Sequence, residues 1–130
     1  MPLNTDGIDP AGSNVTIKNV KITNWDDAVA VKPSHKTDKV AKDGCSQDIL
    51  VQNMTVLFGV GATIGSVPPS SNHACIRRVH FKDVKFDYPM KAIYVKTNPG
   101  QGTGEIKDIF YENIKIHFPV WFGIYIGPQQ

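Results

Sequence analysis

Val15-Thr16-Ile17-Lys18-Asn19-Val20-Lys21-Ile22 reads apolar, any, apolar, polar, Asn/Asp, apolar, any, apolar, and the same phrase returns three times. Ile49-Leu50-Val51-Gln52-Asn53-Met54-Thr55-Val56 and Val79-His80-Phe81-Lys82-Asp83-Val84-Lys85-Phe86 repeat it, and Ile109-Phe110-Tyr111-Glu112-Asn113-Ile114-Lys115-Ile116 closes the series. Alternation of period two marks half-buried strands, and the β-branched content agrees. The Asn or Asp at the fifth position breaks each strand in two and suits a bend, because both residues tolerate unusual backbone angles. The phrases begin at 15, 49, 79 and 109, so the period is 34, 30 and 30 residues. A repeat near this length, built of short strands without a helical period, specifies a parallel β-solenoid. A propeller blade is longer and antiparallel. Ankyrin and TPR repeats need amphipathic helices, and no helix of useful length is legible here.

A third strand follows each pair: Ala28-Val29-Ala30-Val31, Ala62-Thr63-Ile64, Ala92-Ile93-Tyr94-Val95 and Gly123-Ile124-Tyr125-Ile126. Ala28, Ala62 and Ala92 share one offset in the repeat, which predicts a single internal stack about 4.8 Å apart. Segments rich in Pro, Gly, Ser and Lys separate the rungs, at 32–44, 66–73 and 98–104. Insertions of this kind project from a solenoid and often line its binding face. The expected architecture is all-β, a right-handed parallel β-helix of four to five rungs. Open solenoid ends expose strand edges and core side chains, and no capping helix is legible before Asn4 or after Ile126. Residues 1–130 are therefore expected to be an internal segment of one longer β-helical catalytic domain.

The 130 residues fall within the size range of one domain, with 41% hydrophobic and 20% charged residues. A formal charge of +2 is too small to argue for a nucleic-acid partner. No apolar run reaches the ~18 residues of a membrane span, and no signal peptide precedes the polar motif at Asn4. Cys45 and Cys75 share a repeat offset in adjacent rungs, close enough for a disulfide, and a pair of stacked core thiols is the alternative. The sequons at Asn14 and Asn53 carry little weight, since the repeat already gives Asn53 a structural place.

Two acidic motifs stand out: Asn4-Thr5-Asp6-Gly7-Ile8-Asp9 and Asn24-Trp25-Asp26-Asp27-Ala28. Each alone reads as turn or loop-corner chemistry. One turn of the solenoid brings them together, with Asp6, Asp26 and Asp27 expected to point outward on one face between projecting loops. Glycoside hydrolysis needs one protonated acid for the leaving oxygen and one ionised base for water. Crowding raises the pKa of one member of such a set and couples the others to it.

At these residues the chain resembles glycoside hydrolase family 28, the polygalacturonases and their relatives, over nearly its whole length. Asn4-Thr5-Asp6 is similar to the family's NTD motif and Asp26-Asp27 to its DD motif. Gly59-Val60-Gly61 stands where the family has GHG, before the SIGS-like Thr63-Ile64-Gly65-Ser66. Tyr94-Val95-Lys96-Thr97 stands where it has RIK and Thr, and Tyr111-Glu112-Asn113-Ile114 resembles a further common segment. The resemblance implies hydrolysis of pectin-type, galacturonic-acid-containing polysaccharides by an inverting acid/base mechanism. Asp26 would be the general acid, and Asp6 and Asp27 would activate water, with carboxyl groups roughly 6.5–9.5 Å apart. Lys96, Tyr94 and Asn4 would bind substrate. No metal and no cofactor are implied. The partner is a polysaccharide, and the full-length protein would be a secreted monomer.

Two site positions depart from that pattern. Val60 replaces the histidine, and the repeat sets it one rung from Asp26. Tyr94 replaces the arginine and cannot make its bidentate bonds to a carboxylate, which leaves Lys96 to read an acidic sugar. The substrate is thus expected to differ from plain polygalacturonate, or to be cut slowly. A binding-only relative that holds polysaccharide without cleaving it is the rival reading. A calcium-dependent lyase needs a strong base that the acidic cluster lacks, and a tailspike would be a trimer.

The remaining signals are weaker. Lys32 and Lys96 share an offset two rungs apart and read as a basic track or as solvated strand ends. The loop with Lys36, Lys39 and Lys42 is offset by Asp38 and Asp43 and reads as a solvated loop. Trp25, Trp121 and Tyr125 suit either sugar stacking or core packing. His73 and His80 lack metal-ligand spacing, and His80 is expected to be exposed.

Overall fold

The computed structural model describes residues 2–34, 44–67, 73–99 and 102–129. The expected solvated loop at Lys36–Asp43 lies outside them. Eight strands form two parallel sheets, β1(Ser13–Asn24), β3(Ser46–Phe58), β5(Ala74–Asp87) and β7(Gly104–His117) in one, and β2(Asp27–Val31), β4(Gly61–Val67), β6(Lys91–Thr97) and β8(Phe122–Pro128) in the other. Each sheet takes its strands in chain order, so the chain climbs one rung per repeat as a parallel β-helix. Residues before β1 begin a further rung, where Ile8 bridges to Val29. Among the described residues no helix is long and apolar enough to cross a membrane.

The register matches the repeat. Val15 pairs with Ile49, Ile49 with Val79, and Val79 with Ile109. The apolar positions enclose the core: Val51, Val56, Phe81 and Phe86 are wholly buried. Tyr111 stacks on Phe81 at 4.8 Å and donates its hydroxyl to the Ala62 carbonyl across the core. Burial raises its pKa.

The fifth-position residues do bend the chain. Asn19, Asn53, Asp83 and Asn113 all have φ between 52° and 59°. Each strand continues through its bend, although the pairing ladder skips that residue. Rungs are tied there by Asn53 to Asn19 at 2.8 Å and Asn113 to Asp83 at 2.6 Å. A second column of positive φ at Asn14, Asp48, Arg78 and Asp108 turns the chain five residues earlier. A third, at Phe58, Tyr88 and Phe118, turns it toward the second sheet.

The alanine stack needs correction. Ala28, Ala62 and Ala92 are all in the core, but a bulge between Asp27 and Val29 shifts the pairing. Val29, Ala62 and Ile93 lie opposite one another instead. The same shift leaves the outer face of the second sheet with Ala30, Thr63, Tyr94 and Tyr125 in one column. Cys45 and Cys75 form a disulfide across adjacent rungs, with Cα atoms 4.5 Å apart.

Candidate active site

The two acidic motifs are zipped together by the backbone. Gly7 and Ile8 donate N–H groups to the carbonyls of Asp27 and Ala28 at 2.9 and 3.1 Å. Buried Asn24 clamps both motifs: its amide donates to the Thr5 carbonyl at 2.9 Å and to the Asp27 carbonyl at 2.8 Å. The Thr5 hydroxyl in turn accepts the Trp25 N–H at 3.0 Å. Gly61, on the next rung, has φ +112°, and a Cβ there would lie 2.3 Å from the Ala92 carbonyl oxygen. Only glycine lets the rungs close at that point.

This framework sets one oxygen each of Asp6, Asp26 and Asp27 within 4.8 Å of one another. A set this compact has the size to hold a cation, although exposed acids gather in this way without one. Two carboxyl carbons lie at most about 2.5 Å farther apart than their nearest oxygens. The carboxyl carbons are therefore at most about 7.3 Å apart, in the lower part of the expected 6.5–9.5 Å spacing or beneath it. The cause is the direct backbone pairing of the two motifs, which leaves no residue between them.

The three acids do not share one environment. Asp6 is exposed and Asp26 half-buried, and both line a cleft of about 420 Å³ with Asn4, Lys32, Pro33, Ser66, Lys96 and Gln129. Asp26 accepts the Asn4 N–H at 3.1 Å and the Asp27 N–H at 2.8 Å. Asp27 lies on the same face as the other two, but it is covered there and 0% exposed. Its carboxylate accepts the Lys96 ammonium at 2.6 Å and the Thr63 hydroxyl at 2.6 Å. Desolvation and the charges of Asp26, Asp9 and Asp27 push the Asp6 carboxyl above its ordinary pKa, against the pull of Lys32.

The expected substrate-binding residues are placed unevenly. Asn4 lies in the cleft. Lys96 lines it too, but its ammonium is taken by Asp27. Tyr94 is 1% exposed and lines a smaller arm with Trp25, Asp26, Val60 and Met90. Val60 stands beside Asp26 as the repeat requires, with its N–H donating to the Asp26 carbonyl at 2.9 Å. Lys32 pairs with Asp9 at 3.4 Å and with Asp6 at 3.9 Å, so it belongs to the acidic cluster. His73, His80 and His117 bond to Thr103, Glu112 and Asp87 respectively, and His80 is half-buried rather than exposed.

Trp25 is not core. It stacks on Phe58 at 4.5 Å, and Tyr88 and Phe118 continue an aromatic ladder on the outer surface. Asn24 and Thr63 lie in motifs singled out in the sequence but are given no site role there, and Lys91 is not singled out at all. Thr63 had a signal, since it occupies the outward column one rung past the Asp pair. Asn24 and Lys91 matter through contacts that cross rungs, which a linear repeat does not display.

The chain is 32% identical to "Probable exopolygalacturonase C" of Aspergillus terreus over 96% of its length, and covers 26% of that protein. It is 30% identical to "Probable rhamnogalacturonase C" of Aspergillus flavus over 87% of its length, and covers 22% of that protein. It is 31% identical to "Probable endo-xylogalacturonan hydrolase A" of Neosartorya fischeri over 88% of its length, again covering 26%. The chain thus spans about a quarter of the length of these relatives. No solved structure matches it. Residues 2–129 match the Glycosyl hydrolases family 28 pattern, and the chain belongs to that family.

Proposed function

We propose that the protein hydrolyses glycosidic bonds in pectin-type polysaccharides, as part of one longer β-helical catalytic domain, by an inverting acid/base mechanism. The observation that carries this reading is the meeting of Asp6 and Asp26 at the wall of an open cleft, with Asp27 charge-compensated behind them. Asp26 delivers a proton to the leaving oxygen, because it borders both arms of the cleft. Asp6 takes the proton of the attacking water, and its raised pKa makes it the stronger base. Asp27, ionised beside Lys96, orients the pair and holds negative charge under the developing oxocarbenium ion. Asn4 and Tyr94 contact the sugar at the two arms. The disulfide fits an oxidising compartment and so secretion. The full-length protein acts as a monomer on a polysaccharide, without a nucleic-acid or membrane partner.

The names of the relatives span three pectic substrates, so the test is a panel of oligosaccharides from each, with new reducing ends measured and the first-formed anomer read by NMR. Release of the inverted anomer is expected. A retained anomer overturns the inverting step. No release from any substrate overturns hydrolysis and leaves the binding-only rival, to which Val60 and Tyr94 already lend support.

The pH dependence has a defined sign. Asp6 works only when ionised, so its raised pKa sets the acid limb of activity higher than an unperturbed aspartate would. Asp9→Asn removes one charge that raises Asp6 and frees Lys32 to approach it. Both changes lower the Asp6 pKa, so the acid limb of kcat/KM should move to lower pH. A limb that stays in place would mean that Asp6 is not the base. Stability follows the same linkage: the penalty on the native state builds as pH rises from the ordinary carboxylate pKa to the raised Asp6 value, and is absent below the ordinary one.

A further inference from the structure

Lys91 is 2% exposed, and its charge meets aromatic rings rather than an acid. Its ammonium lies 4.1 Å from the Tyr94 ring centroid, 4.7 Å from Tyr125 and 4.8 Å from Trp121. Among the described residues no carboxylate comes within ion-pair distance of it. A buried cation without a counter-charge is costly, and the quadrupoles of three rings offset only part of that cost. The ammonium is nevertheless not sealed. Among the described residues, the single polar side-chain atom that is both fully enclosed and without a partner is Asn24 Oδ1, and the Lys91 ammonium is not one of that kind. Trp121, half-exposed, stands over the cage, while Tyr94 joins the cage to the arm of the cleft that holds Asp26.

The contrast with Lys96 matters. Both ammoniums lie near the Tyr94 ring, at 4.1 and 5.3 Å from its centroid. Lys96 is neutralised by Asp27 at 2.6 Å, so it has little attraction left for an acidic sugar. Among the described residues of this face, Lys91 is the cation without an ion-pair partner. It sits on the third strand of the second sheet, two rung steps or roughly 10 Å from Asp27 along the solenoid axis. Burial and the Lys96 charge lower its pKa, while Asp27 opposes that shift; a bound anion would oppose it further and favour the charged form.

We propose that Lys91, framed by Tyr94, Trp121 and Tyr125, binds the carboxylate of a uronate sugar about two rungs from the acidic cluster and thereby selects charged over esterified substrate. The rings supply flat apolar walls for the sugar, and the ammonium supplies the charge that Tyr94 cannot. The inference rests on the saccharide reading for its choice of ligand, not on cleavage.

The test is calorimetric binding of a de-esterified galacturonate oligosaccharide and its fully methyl-esterified counterpart to the wild-type chain, Lys91→Met and Lys91→Arg. Methionine keeps the aliphatic stem against the rings and removes the charge. Lys91→Met should weaken the acidic ligand roughly tenfold to a hundredfold and leave the ester unchanged. Lys91→Arg should restore most of the preference. Equal weakening of both ligands would mark a purely structural lysine and overturn the proposal, as would unchanged binding of the acid. If the wild-type chain binds the acid selectively through Lys91 but releases no product from any substrate, the carboxylate site stands and the hydrolytic reading falls.

Discussion

A Lys96→Met variant is expected to lose about 3–5 kcal/mol of folding stability, a large part of what a small domain possesses. Lys96 and Asp27 form an ion pair at 2.6 Å with side chains 9% and 0% exposed. Removing the ammonium leaves an enclosed carboxylate with the Thr63 hydroxyl as its remaining donor among the described residues. Methionine fills the space of the lysine stem, so the loss measures the stranded charge and not a cavity. The double variant Asp27→Asn with Lys96→Met should recover most of the stability, because the amide carbonyl still accepts the Thr63 hydroxyl and no charge remains. Urea unfolding of the wild type, both single variants and the double variant gives the coupling energy. A single-variant loss below about 1 kcal/mol, the value of an exposed pair, would refute the enclosed pairing.

That pair also marks the boundary of what the sequence discloses. The repeat of 34, 30 and 30 residues fixed strand type, parallel stacking and register, because a solenoid places each residue beside its own offset in the next rung. It foresaw the bends at Asn19, Asn53, Asp83 and Asn113 for the same reason. It brought Val60 beside Asp26 and Cys45 beside Cys75. It failed where the ladder slips. One bulge after Asp27 turned the alanine stack into a Val29, Ala62 and Ile93 row. It failed again on exposure at a turn: nothing in the doublet Asp26-Asp27 says that one carboxylate borders the cleft and the other is covered. The deciding partners, Thr63 and Lys96, are 36 and 69 residues away. Trp25 was equally ambiguous, since it lies outside the repeat phrase that set Phe81 and Tyr111 at a core position.

Asp26→Asn is expected to lower the release of reducing ends by roughly 10²–10⁴-fold, the usual worth of a positioned acid. The change is nearly isosteric, and an asparagine oxygen keeps one of the two N–H bonds that Asp26 accepts from Asn4 and Asp27, so the zipped motifs should stay folded. Binding of the oligosaccharide should be retained, because one negative charge fewer lines the cleft near Asp6. The leaving group separates a proton donor from a merely electrostatic neighbour. A glycoside with an acidic aryl leaving group departs without protonation, so the variant should lose far less activity on it than on a sugar leaving group. Asp6→Asn should lose activity on both substrates alike, because water attack is needed whatever departs. If the aryl glycoside restores Asp6→Asn and not Asp26→Asn, the two roles are exchanged, an outcome compatible with the raised pKa of Asp6. If Asp26→Asn changes neither product formation nor affinity, the cleft holds polysaccharide without cutting it.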